Sequence, residues 1–109
     1  MDIRLTDEDE AREPVVEIHP HERLTIRLDQ PGGTGYLWRL EGDASRYRVV
    51  DQKIQADDSE DTFGGTGTQV FVLEPLVEGT THLVFRLAAP WSSDAAREQR
   101  LAVRATRSD

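Results

Sequence analysis

Apolar residues in this chain recur at every second position in short runs, and that period decides what it can fold into. From Arg23 to Asp29, Leu24, Ile26 and Leu28 alternate with Arg23, Thr25, Arg27 and Asp29. The same pattern puts Leu83, Phe85 and Leu87 on one face of residues 81–87, and Leu101, Val103 and Ala105 on one face of residues 100–105. Successive strand side chains point to opposite sides, so a period of two belongs to a strand with one face buried and one wet. Tyr36, Trp38 and Leu40 predict a further strand over residues 36–40, and Tyr47 and Val49 another over residues 46–54. Residues 14–18 form a β-branched run bounded by prolines, which suits a sheet edge because proline donates nothing to a ladder. Val70 to Leu73 are continuously apolar, the pattern of a central strand covered on both faces. Gly42, Pro75 and Gly79 mark turns between the runs, and the polar residues 92–98 hold at most one helical turn.

These seven short strands predict an all-β domain, a seven-stranded antiparallel immunoglobulin-like β-sandwich. Its expected core is Leu24, Ile26, Tyr36, Trp38, Val70, Val72, Leu83, Phe85, Leu101 and Val103. Val70 and Phe71 cannot share one interior, so one of them covers the second face of its strand.

A length of 109 residues suits one domain, which we place at residues 14–106 behind a flexible acidic N-terminal segment, residues 1–13. With no cysteine, disulfides, thiolate ligands and a thiol nucleophile are excluded. A formal net charge of -8 repels phosphate backbones, so the expected partner is a protein and not nucleic acid. No apolar run approaches the roughly 20 residues of a membrane span, and residues 1–10 are acidic where a secretion signal is basic and then apolar. Taking Met1 as the natural start, the expected location is cytoplasmic, and the expected state a monomer.

In an up-and-down order of strands, alternate connections fall at one end. Residues 31–35, 63–67 and 88–91 therefore share an end, and these are the unusual loops. Gly32, Gly33 and Gly35 allow positive φ in the first, which makes a compact projecting turn. Trp38 has the parity of a core residue, while Trp91 either anchors a partner or caps its own sandwich. Enzymatic and cofactor readings find little support. Neither glycine loop continues into Lys-Ser/Thr and a helix, as phosphate binding requires. His19, His21 and His82 have no thiolate to assist them and read as surface histidines. Asp57, Asp58, Glu60 and Asp61 lack calcium-loop spacing, and Ser92, Ser93 and Asp94 have no histidine nearby in sequence. No cofactor or metal is expected, and no catalytic residue.

Residues 34–38, Thr-Gly-Tyr-Leu-Trp, residues 64–67, Gly-Gly-Thr-Gly, and residues 89–91, Ala-Pro-Trp, resemble in order and spacing the three loop motifs of the chagasin-type inhibitors of papain-like cysteine proteases. The resemblance runs from about Pro14 to Arg104. It implies a reversible, competitive inhibitor that inserts three loops at one end of a β-sandwich into the protease cleft. The protease-binding residues it implies are Pro31, Gly32, Gly33, Thr34 and Gly35 in the first loop, Phe63, Gly64, Gly65, Thr66 and Gly67 in the second, and Ala89, Pro90 and Trp91 in the third. The alternative is a non-inhibitory module that binds another protein through the same end. This chain departs from the family where Pro31-Gly32-Gly33 replaces Asn-Pro-Thr, where Thr66 stands for glycine, and where Ala89 stands for arginine. Fewer polar groups and a looser first loop raise the ordering cost of binding, so weaker inhibition is expected than from intact motifs.

Overall fold

The computed structural model describes residues 1–6, 12–30, 36–42, 44–56, 67–89, 91 and 97–107. They form eight strands: β1 (Asp2–Leu5), β2 (Val15–Ile18), β3 (Leu24–Gln30), β4 (Leu37–Gly42), β5 (Tyr47–Ala56), β6 (Gly67–Pro75), β7 (Gly79–Ala88) and β8 (Arg97–Ala105). Two four-stranded sheets, ordered β1-β3-β6-β5 and β2-β8-β7-β4, make a sandwich. The expected seven antiparallel strands are thus corrected to eight in two mixed sheets. β1 lies parallel to β3, and β2 parallel to β8.

β1 falls inside the segment expected to be flexible. Four residues followed by a run of charge hide it, yet Ile3 and Leu5 keep the alternation and align with Ile26 and Leu28 of β3. Leu5 enters the core, and Ile3 packs against it. Arg27 donates to both carboxylate oxygens of Asp2 at 3.0 and 3.1 Å, and the Met1 amino group donates to the Arg23 carbonyl at 3.0 Å. β8 also starts earlier than the alternation suggested, at Arg97, so Arg97 and Glu98 belong to a strand and not to a helical turn.

The core sits between the sheets. Leu24, Ile26 and Leu28 of β3 face Leu83, Phe85 and Leu87 of β7 and Leu101 and Val103 of β8. Phe71 and Phe85, one from each sheet, meet in a tilted pair with centroids 5.2 Å apart. On β6 the inward residues are Phe71 and Leu73. The expectation of Val70 and Val72 is corrected by one residue, because a continuous apolar run carries no parity of its own. Val70 is buried on the opposite face, and Val72 is half-buried. Tyr36 is only partly buried against the core. On the edge strand β5 the register shifts between Val49 and Asp51, a bulge, and Val49 is exposed.

At the end of the sandwich where β7 begins, Gly79 takes φ 110°, a left-handed conformation that glycine adopts without strain. A Cβ there would come within 2.8 Å of the Arg46 guanidinium, which donates to the Thr81 hydroxyl and the Glu78 carbonyl at 3.0 Å each. This is an ordinary structural turn, and it leaves the opposite end for the site.

Candidate functional site

Strand pairing brings the ends of six strands together. Gln30, the last residue of β3, pairs with Gly67, the first of β6, and Gly67 pairs with Ala56, the last of β5. In the other sheet Leu37, the first residue of β4, pairs with Ala88 of β7, and Leu87 pairs with Arg97, the first of β8. The β3–β4, β5–β6 and β7–β8 connections therefore all leave the sandwich at one end.

Trp38 holds these strand ends to each other. The parity of β4 turns its side chain inward, leaving it 2% exposed, and its indole Nε1 donates to the Asp29 carbonyl at 2.9 Å. That bond joins the foot of β4 to the last turn of β3. The Arg97 guanidinium lies 5.5 Å from the indole centroid in a cation–π contact, which brings in the foot of β8. From β6, Gln69 reaches across the sandwich. Its Oε1 accepts from the Trp38 N–H at 2.8 Å and its Nε2 donates to the Trp38 carbonyl at 2.7 Å.

Of the residues the resemblance implies for protease binding, three are described. Gly67 is the first residue of β6 and half-buried within its ladder. Ala89 is 4% exposed, so it is enclosed and offers a partner almost no surface of its own. Trp91 is 79% exposed and stands free of the core, which resolves the choice between anchor and cap in favour of an exposed ring. Pro31, Gly32, Gly33, Thr34, Gly35, Phe63, Gly64, Gly65, Thr66 and Pro90 lie outside the described residues. The same holds for the acidic residues Asp57 to Asp61 and for Ser92 to Asp94.

Beside this end, an open groove of about 530 Å³ runs between the edge strands β4 and β5. Leu37 and Arg39 form one wall and Gln52, Lys53 and Ile54 the other, with Gln69 between them. The histidines are held apart from one another: His19 bonds the Thr106 carbonyl, His21 pairs with Glu74, and His82 with Glu13. Among the described residues no group of histidine and carboxylate side chains is placed to hold a metal ion.

Sequence reasoning missed Gln69 and Arg97. A signal for the first existed: once Phe71 and Leu73 face inward, an amide at position 69 shares their face, and a buried amide needs partners. Arg97 offered none, because its approach to Trp38 depends on how the two strands pair through β7.

The description Chagasin family peptidase inhibitor I42 matches residues 17–104. No curated protein sequence matches the chain. Among solved structures it resembles the cysteine protease inhibitor EhICP2 from Entamoeba histolytica, with TM-score 0.82, 21% identity and 96% of each chain covered. It also resembles amebosin, with TM-score 0.73, 21% identity and coverage of 94% of this chain and 96% of that one. A third likeness is to PbICP-C in a complex with falcipain-2, with TM-score 0.64, 16% identity and coverage of 96% and 98%. At such identities these likenesses speak for the fold.

Proposed function

We infer from a chain that belongs to the chagasin family of peptidase inhibitors that its activity is reversible, competitive inhibition of papain-like cysteine proteases, exerted by the loop end of the sandwich. The family consists of protease inhibitors and not of enzymes. The observation that carries the reading to this end of the molecule is the exposed ring of Trp91 beside three connections that leave together. An unburied tryptophan on a rigid frame costs apolar surface in water, and covering it in a partner's cleft recovers that free energy. No covalent step is needed. A body that fills the cleft and keeps substrate from the catalytic thiol inhibits without being cut, and the inhibitor contributes position alone. The relative PbICP-C, solved in a complex with falcipain-2, supports a protease as the kind of partner.

A steady-state assay with papain at several substrate concentrations tests this. Under competitive inhibition the apparent inhibition constant rises linearly with substrate from its value at zero substrate, and the chain recovered after long incubation stays intact. Failure to inhibit papain-like proteases at concentrations well above micromolar would instead leave a module that binds some other protein through the same end.

A further inference from the structure

We infer that Gln69 is a positioning residue of the binding end: its buried amide locks the foot of β6 to the foot of β4, so the connections on either side meet a partner with their bases already ordered. The functional consequence rests on the inhibitor reading, and the structural claim does not.

β4 is the edge strand of its sheet. The N–H and carbonyl of Trp38 point away from β7, on the side where no strand of the described residues lies beside them. The Gln69 side chain takes that place, offering one donor and one acceptor as a neighbouring strand would. At 2% exposure the pair of bonds is shielded from water, which strengthens them and makes their loss costly. Across the same end, on the side of β1 and β8, Gln99 is buried and donates to the Thr6 carbonyl at 2.7 Å, but its Oε1 has no partner among the described residues. Of these two buried amides at the loop end, Gln69 is the one with both ends paired among the described residues. Gln69 is two residues from Gly67, where the β5–β6 connection ends, and Trp38 is one residue inside the start of β4. The Trp38 indole carries the same link to Asp29, the other foot of the β3–β4 connection. Removing Gln69 therefore frees two feet at once.

A binding end that is correctly arranged for only part of the time binds more weakly by that fraction, and the loss falls on association. A lost contact acts on dissociation instead. The two roles are separable.

The test compares Gln69→Leu and Gln69→Glu with the parent protein. For Gln69→Leu we expect hydrogen exchange at the Trp38 amide of the free protein to accelerate at least about tenfold, association with papain to slow about tenfold, and dissociation to stay unchanged. Gln69→Glu supplies a switch, since a protonated carboxyl keeps one donor and one acceptor while a carboxylate has no donor for the Trp38 carbonyl. Enclosure favours the neutral acid, and Arg39, Lys53 and Arg97 nearby favour the carboxylate, with Asp29 directed to Arg4. In Gln69→Glu both should match the parent at low pH, and as pH rises association should slow toward the leucine level while exchange at the Trp38 amide accelerates, each value normalised to the parent at that pH. Should Gln69→Leu fail to fold, this profile carries the test. Parental exchange and association in both variants at every pH would overturn the proposal, as would slower binding that arises in dissociation alone. If the parent protein does not inhibit papain, the inhibitor reading fails by itself, and amide exchange in the free protein still decides the role of Gln69.

Discussion

Two tryptophans divide the work of this domain. Trp38 is enclosed, bonded through its indole and both main-chain groups, and stacked under Arg97. Replacing it with alanine opens a cavity and strands polar partners, so unfolding free energy in a denaturant titration should fall by about 3–5 kcal/mol. Trp91 has nothing comparable to lose. With its ring in water, Trp91→Ala should leave stability within about 0.5 kcal/mol of the parent. Its inhibition constant should rise by about 2 kcal/mol or more, roughly thirtyfold, when measured against papain. A large stability loss without any change in inhibition would reverse these roles. Ala89 is the small residue its surroundings call for, because its methyl is enclosed. An arginine at that position would first have to find a path out.

At the scale of elements, β1 is a four-residue edge strand joined to one neighbour, as is β2. The Arg27 guanidinium, bonded to Asp2, holds that carboxyl below its ordinary range, and Arg48, with His21 second, does the same for Glu74. A depressed folded-state pKa contributes stability that is present above the unfolded value and lost as pH falls through the folded one. The contribution should therefore be intact above about pH 4.5 and disappear progressively below pH 4. Protection of the Ile3 and Leu5 amides from exchange, taken relative to the intrinsic rate at each pH, should fall over that interval before the core opens, and Asp2→Asn should remove the acid dependence there. The first loop supports a separate expectation. Changing Pro31→Asn, Gly32→Pro and Gly33→Thr together adds polar groups and shortens the range of conformations to be lost, so inhibition of papain should strengthen. Unchanged or weaker inhibition would show that this stretch does not limit affinity.

Over the whole molecule, most pairings join distant parts of the chain. β2 pairs with β8 and β1 with β3, while β3 pairs with β6 across the intervening β4 and β5. Loop closure must precede the reward from such contacts, so refolding should take milliseconds to seconds in stopped-flow fluorescence of the tryptophans. Microsecond refolding would contradict it. The same long-range pairing builds the binding end, since the feet of its connections belong to both sheets. A complex of standard size covers about 800 Å² of each partner, within reach of three connections at one end of a sandwich. Such an area leaves affinity to be set by how well those feet are held.

Much of this was legible in the residues. The period-two runs of β3, β7 and β8 identified Leu24, Ile26, Leu28, Leu83, Phe85, Leu87, Leu101 and Val103 as core, because alternation states which side chains share a face. The motifs around Trp38 and Trp91 identified the family and the end of the sandwich that carries its loops. Parity in β6 could not be read from four consecutive apolar residues, and β1 was masked by the charge that follows it. Parallel pairing of β1 and β2 was equally out of reach, since a strand's sequence does not state the direction of its neighbour. The exposure of Trp91 and the clasp of Gln69 on Trp38 came only with the tertiary structure. Alternation is a local property of one strand, whereas burial and hydrogen bonding across the sandwich depend on which distant residues the fold sets side by side.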